Sequence, residues 1–236
     1  MAEIKARLQA VQKRIEGAAV LKQQAVLIAV SKFQSFEKIR AAFEFGVQNF
    51  GENYLQEALL KMEAAKAENL PLIWHFIGKI QSNKTRAIAE NFAWAHTVDR
   101  LKIAERLNAQ RPPNFPPLNI CVEINLGNEN SKSGISLENA LPLCLEILKF
   151  PHLKLRGLMA IPPATDDFEK QRFYARTLSN GLKEIQKNLP AAAQKDFNVL
   201  SIGMSNDLES ALLEGATHIR IGTAIFGERS SDFQKK

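Results

Sequence analysis

Eight short apolar segments alternating with helical patterns predict a closed parallel (β/α)8 barrel, the TIM-barrel architecture, with one additional helix at the N-terminus. Each β–α unit runs to about 20 to 35 residues, the length of a strand plus its returning helix. An open doubly wound sheet is the competing solution. It is disfavoured because no Gly-x-Gly-x-x-Gly follows the first strand. No internal repeat, low-complexity tract or linker interrupts the chain, so residues 1–236 are expected to form a single domain.

Ile4, Leu8, Val11 and Ile15 recur at helical spacing and predict an amphipathic N-terminal helix that ends near Gly17. Val26-Leu27-Ile28-Ala29-Val30-Ser31 is unbroken by charge and rich in β-branched residues, the pattern of a fully buried strand. Ser35 is placed to cap a helix that buries Phe36, Ile39 and Phe43 and closes at Gly46. Residues 47–50 predict a second strand, with Gly51-Glu52-Asn53 turning into a helix that reaches about Ala67. The third strand spans 73–78 and precedes a helix over 84–90. The fourth spans 93–98, with Asp99 as cap of a helix to Asn108.

A proline-rich loop over 111–117 delivers the fifth strand, 118–126, and Ser136 is expected to cap a helix carrying Leu141, Leu145 and Leu148. The sixth strand, 153–161, is stopped by Pro162-Pro163 and followed by a long helix from about Asp166 to Asn188. The seventh spans 199–202, with a short helix over 206–214, and His218-Ile219-Arg220-Ile221-Gly222 is the eighth.

Composition narrows the function classes. Apolar residues make up 45% and charged residues 24%, as in a soluble globular protein. No apolar run approaches the ~20 residues needed to span a bilayer, and the N-terminus reads as a helix rather than a signal peptide, so a cytoplasmic protein without membrane contact is expected. Cys121 and Cys144 lie in apolar surroundings and are expected to be buried and structural, and the four histidines show no metal-ligand spacing. The net charge of +6 suits anionic ligands. Its basic residues are interleaved with acids and form no nucleic-acid-recognition signature, so nucleic acid is not an expected partner.

In a (β/α)8 barrel the chemistry lies at the carboxyl ends of the strands, and phosphate commonly binds at the loops after strands seven and eight. Lys32 stands at the carboxyl end of the first strand. An amine held there has its pKa lowered and can form a Schiff base with an aldehyde. The same position also suits a solvated lysine that opens a loop. After strand seven, Gly203-Met204-Ser205-Asn206-Asp207 offers Ser205 either as a helix cap or as a phosphate ligand. It is not a hydrolase nucleophile elbow, because Asp207 stands where the second glycine is required. After strand eight, Gly222 permits close backbone approach, and the Thr223 hydroxyl and free N–H groups can meet an anion. Arg220 within strand eight points either outward among helices or inward to a polar site, and alternation with Ile219 and Ile221 leaves both open. Barrel closure makes strands one and eight neighbours. A lysine, two anion-binding turns and an inward arginine would together suit an aldehyde that carries a phosphate: pyridoxal 5′-phosphate.

Several stretches in one order resemble the pyridoxal phosphate homeostasis protein family, which is similar to the barrel domain of bacterial alanine racemase. They are Ala29-Val30-Ser31-Lys32, Asn49-Phe50-Gly51-Glu52-Asn53-Tyr54, Trp74-His75-Phe76-Ile77-Gly78 with Gln81-Ser82-Asn83-Lys84, and Ser131-Lys132-Ser133-Gly134. Further on are Arg156-Gly157-Leu158-Met159-Ala160-Ile161, Leu200-Ser201-Ile202-Gly203-Met204-Ser205, and the run from Ile219 to Gly227, so the resemblance covers about residues 26–229. It implies a cofactor held as a Schiff base on Lys32, phosphate contacts from Ser205, Gly222 and Thr223, and an Arg220 contact to the pyridine nitrogen. It also implies that Asn49 lines the ring, with His75 and Met159 at the site. Phe33-Gln34-Ser35 and Lys79-Ile80 depart from the family's usual residues at the pocket rim.

The function implied is storage, buffering or delivery of pyridoxal 5′-phosphate to apo-enzymes, by a monomer, without catalysis. An arginine at the ring nitrogen disfavours the proton that makes the ring an electron sink. Only 14 residues follow Gly222, so no second domain is expected to bring the opposite-face acid or base that racemisation needs, and neither Tyr54 nor Tyr174 has a sequence argument for that role. A low-activity amino-acid racemase using the same cofactor, and a Schiff-base aldolase barrel with Lys32 as nucleophile, are the enzyme alternatives.

Overall fold

The strand Val26–Val30 (β1) pairs on both edges, with Asn49–Glu52 (β2) on one side and His218–Ile221 (β8) on the other, and this double pairing closes the sheet on itself. Between them Ile73–Phe76 (β3), Trp94–Val98 (β4), Leu118–Ile124 (β5), Leu153–Ala160 (β6) and Val199–Ser201 (β7) follow in sequence order, all parallel, giving a closed eight-stranded barrel. The protein is seen as a computed structural model that describes residues 2–18, 25–127 and 133–227. Ser131 and Lys132 of one family-like stretch, and the end of the resemblance at Arg229, lie outside the described residues.

The returning helices are Phe36–Glu44 (α2), Leu55–Ala67 (α3), Thr85–Asn91 (α4), Leu101–Gln110 (α5), Leu137–Ile147 (α6) and Phe168–Asn188 (α7). Ala2–Ala18 (α1) is the predicted N-terminal helix. Ala191–Gln194 (α8), Leu208–Leu213 (α9) and Thr223–Phe226 (α10) are short. The main core lies between barrel and helices, from Ile4, Leu8, Val11 and Ile15 on α1 to Ile219 and Ile221 on β8. A separate small cluster, Cys121, Met159 and Val199 with Trp94 packed on it, forms apart from that layer. Both cysteines are buried and unpaired, as expected, and burial pushes each thiol up to about 12.

Tertiary packing overrides local signals in a few places. Gly51 and Glu52 are strand rather than turn: they pair with His75 and Phe76 of β3, and a Cβ at Gly51 would meet Ile77 Cδ1 at 2.9 Å. Asn49 therefore starts β2 instead of ending it. Asp99 does not cap α5, which begins after Arg100; its carboxylate accepts from Arg100 Nη1 at 2.6 Å. The buried face of α6 is Ala140, Leu143, Cys144 and Ile147, one position out of phase with the predicted Leu141–Leu145–Leu148 stripe, and Leu145 is exposed. Apolar residues cover more than one face of this helix, so periodicity alone could not choose.

Gly157 marks the tightest strand contact. A Cβ there would stand 1.9 Å from Val199 O, across the β6–β7 pair. Gly157→Ala should cost about 3 kcal/mol or more of stability through this forced separation. The urea midpoint of the purified variant measures it, and an unchanged midpoint would show that the β6–β7 pair gives way without cost.

Candidate functional site

Alternation along β1 decides where the lysine goes. Val30 and Lys32 line a cavity of about 510 Å³ at the carboxyl end of the barrel, while Ser31 between them is fully buried, with its hydroxyl donating to Glu52 of β2. Ser205, Arg220, Gly222 and Thr223 line the same cavity, so five of the six sequence-predicted site residues share one space. Gly222 packs against the strand that carries the lysine: a Cβ on it would lie 3.3 Å from Val30 O and 3.4 Å from Val30 Cβ. The close approach expected of this glycine is thus to β1, and it draws the turn after β8 against the root of Lys32.

The two turns are held from outside. Met204 N–H donates to Asp207 Oδ1 at 2.7 Å, and Arg220 N–H to Gly203 O at 2.9 Å, which shapes the turn after β7. Asp207, not Ser205, is the N-cap of α9. Arg14 of α1 reaches over this turn, with Nη2 on Ser205 O at 2.9 Å and a bidentate pair to Glu209 at 2.6 and 2.8 Å. The hydroxyls of Ser205 and Thr223 have no described hydrogen-bond partner; at the start of α10 the Ile225 and Phe226 amides both donate to Gly222 O, which leaves the Thr223 and Ala224 amides without a described backbone acceptor. Burial raises the Asp207 carboxyl above its usual range, offset by the Met204 amide and by Arg220.

Arg220 points inward and is 4% exposed. Its Nη1 donates to Ser201 Oγ at 2.8 Å and its Nη2 to Ala160 O at 2.9 Å. Both acceptors are neutral, and burial pulls the guanidinium down to about 10, so it remains charged at neutral pH. Each terminal nitrogen keeps a second N–H, so the group can still donate toward the cavity.

A continuous polar chain crosses the barrel from this arginine. Ser201 Oγ lies 2.9 Å from His96 Nδ1, His96 Nε2 lies 2.9 Å from His75 Nδ1, and His75 Nε2 lies 3.0 Å from Asn49 Oδ1. Both rings are fully buried, and burial drives both well below the usual imidazole range, so both are neutral. With Asn49 Oδ1 as terminal acceptor, one proton arrangement completes every link. Arg220 donates to Ser201, Ser201 to His96, His96 from Nε2 to His75, and His75 from Nε2 to Asn49. Trp94 stacks on His75 at 5.5 Å, and His218, drawn down to about 4 by burial and by Arg156, packs beside them.

Sequence reasoning missed part of this. Asn49 stands off the cavity wall as the end of the chain through His75, and Asn53, just past β2, lines the cavity instead with a buried Oδ1 that has no partner. Met159 packs with Cys121 and Val199 rather than on the cavity. His96 and Ser201 had no motif to announce them, because their roles come from facing each other across the barrel. Among the described residues no His, Cys, Asp or Glu group could hold a metal, and no helix is long and apolar enough to cross a membrane.

The sequence model of the alanine racemase N-terminal domain family matches residues 1–230. The pyridoxal phosphate homeostasis protein of Pseudomonas aeruginosa is 50% identical over 203 residues, covering 86% of this chain and 84% of that one. Its counterpart in Escherichia coli K12 is 44% identical over 215 residues, covering 91% and 89%. Among solved structures, PipY of Synechococcus elongatus with pyridoxal phosphate bound superposes with a TM-score of 0.83 at 32% identity, covering 95% of this chain and 100% of that one. Alanine racemase of Clostridium difficile shares the fold, with a TM-score of 0.70 at 14% identity, and this chain covers 58% of it.

Glu123, on β5, gives a pH signature. Burial, with repulsion from Asp99, raises its carboxyl from 4.5 to about 7. A raised carboxyl stabilises the fold while protonated: that contribution is complete below the unfolded value and is lost as pH rises through the folded one. Glu123→Gln removes the ionisation, so its stability relative to the parent should climb between pH 4.5 and 7 by about 3 kcal/mol and then level off. Urea titrations of both proteins across this range test it, and a pH-independent difference would mean Glu123 titrates normally.

Proposed function

The chain belongs to the alanine racemase N-terminal domain family and, within it, to the pyridoxal phosphate homeostasis proteins; from that premise we propose that it binds pyridoxal 5′-phosphate on Lys32 and holds it for other proteins instead of using it in catalysis. The observation that carries this is the shared cavity: a lysine, two anion-binding turns with unpaired hydroxyls, and a buried guanidinium face one space. The residues fit such a ligand. The Ser205 and Thr223 hydroxyls with the α10 amides suit a phosphate, the tight Gly222 turn leaves them facing the cavity, and the orphaned Asn53 Oδ1 waits for a donor. Asn49 is proposed to act through His75 and not by direct ring contact.

Lys32 Nζ would be the group that holds the ligand, through its aldehyde carbon and with loss of one water. Ser205, Gly222 and Thr223 fix the phosphate and so fix where the aldehyde meets Nζ. When bound, the cofactor supplies an electrophilic carbon and an electron-withdrawing ring. Arg220 controls how far that ring can work. A donor-only cation, oriented by Ser201 and Ala160 O, would donate to an unprotonated ring nitrogen and disfavour its proton. A weak electron sink suits storage and delivery to apo-enzymes better than amino-acid chemistry. The site is proposed to work in a single chain, in the cytoplasm.

Borohydride reduction of the pyridoxal-phosphate-loaded protein should label the peptide containing Lys32, and Lys32→Ala should abolish both the label and the imine absorption. Pyridoxal without its phosphate should bind at least about 10- to 150-fold more weakly, the worth of a single hydrogen bond to a charged group, since several are lost together. An unlabelled Lys32 peptide, or equal affinity for both compounds, would overturn the assignment.

The racemase alternative is tested by deuterium exchange at Cα of L-alanine. Missing one acid or base costs about 10²- to 10⁴-fold, so exchange should stay within a small factor of that given by free cofactor. Rapid exchange with inversion would make the protein an enzyme.

A further inference from the structure

Behind the cavity wall, between the strands β1 and β2 and helix α3, three ionisable side chains meet: Glu52 and Lys61 are buried and Glu57 is half-buried. Lys61 of α3 spends all three of its ammonium donors here: on Glu52 Oε1 at 2.8 Å, on Glu57 Oε1 at 2.6 Å and on the carbonyl of Ser31 at 2.6 Å. Ser31 Oγ donates to Glu52 Oε1 at 2.6 Å, and the amide of Phe33 donates to Glu57 Oε1 at 2.6 Å. The two backbone groups that flank Lys32, the carbonyl before it and the N–H after it, are therefore tied to this one cluster.

The arrangement is costly. Glu52 is fully buried, its Oε2 has no partner, and burial raises its carboxyl in spite of Lys61. Phe33, next to the lysine, is held at φ +59°, the left-handed region that a bulky residue avoids. Buried ion pairs contribute little to stability compared with apolar packing of the same shape. Strained backbone persists only where its surroundings enforce it. The barrel spends its most expensive polar contacts on one turn, and that turn carries the reactive amine.

We propose that the buried Lys61–Glu52–Glu57 cluster is a positioning device that clamps the Ser31–Phe33 turn and thereby sets the direction of Lys32 Nζ into the cavity. The proposal rests on Lys32 being the attachment point. It makes a separable claim, because the cluster touches the backbone of the lysine turn and none of the residues assigned to the phosphate.

Two variants test it. Glu57→Ala removes the anchor of the Phe33 amide at a half-buried position, and Glu57→Gln restores an acceptor there. The double variant Lys61→Met with Glu52→Gln removes the two buried charges together and leaves Glu57, which is only half-buried, to accept from the Phe33 amide alone. Two quantities are read on each folded protein: the rate of cyanoborohydride-trapped labelling of Lys32 by pyridoxal phosphate, and the affinity for 4′-deoxypyridoxine 5′-phosphate, which has the phosphate and ring but no aldehyde. Labelling should fall roughly 10-fold or more in Glu57→Ala and in the double variant, with analogue affinity within about twofold of the parent and Glu57→Gln close to it in both. Parent-like labelling, or an equal fall in labelling and analogue affinity, would make the cluster merely structural and overturn the proposal. If the parent protein itself fails to label at Lys32, the assignment of Lys32 falls instead.

Discussion

A guanidinium buried inside a closed barrel is the constraint on which the site depends. Arg220 is shielded from water and has two neutral oxygens as its closest acceptors, so its charge is solvated by dipoles and not cancelled by a carboxylate. That requirement spreads outward. Ser201 must turn a lone pair to Arg220, which leaves its proton for His96; His96 and His75 must then be neutral, and the barrel interior keeps them so by burial. A protonated imidazole in this chain would place a second cation beside the first in a low-dielectric interior. The interior polar chain and the buried arginine are thus one electrostatic unit, and its open side faces the cavity.

Closure supplies the rest. Because β8 pairs with β1, the turn that begins at Gly222 touches Val30, and the lysine and this turn become neighbours despite lying at opposite ends of the sequence. The N-terminal helix then secures the other turn from outside, with Arg14 bonded to Ser205 O and paired to Glu209. The first helix of the chain so belongs to the site as much as to the core. It packs on α9 and α10, the two short helices that follow the turns after β7 and β8.

The same barrel serves proteins with different chemistry, as the alanine racemase neighbour at 14% identity shows for the fold alone. What distinguishes a holder from a catalyst is then local: which group meets the ring nitrogen, and whether an acid or base stands on the far face. In this chain Arg220, bonded to Ser201, is the cation that faces the cavity, and the backbone beside Lys32 is bonded to Lys61 outside it.

The alternation of apolar strands and amphipathic helices determined the barrel, its strand order and the additional N-terminal helix, since each element's periodicity is a local property of a dozen residues. The sequence also located Lys32, Ser205, Gly222 and Thr223, because strand ends and turn chemistry are local too, and the barrel rule places strand ends on one face. It could not orient Arg220, whose neighbours Ile219 and Ile221 are apolar on either side, nor choose the buried face of α6. It assigned a turn to Gly51-Glu52, where pairing with β3 makes strand, and a cap to Asp99, where an ion pair with Arg100 prevails. The chain from Arg220 to Asn49 was invisible because its members are separated by up to 105 residues in one hydrogen bond, and only closure of the sheet brings such side chains to one point. The cluster under Lys32 spans no more than 30 residues per bond, but it exists only once β2 pairs with β1 and α3 packs behind them.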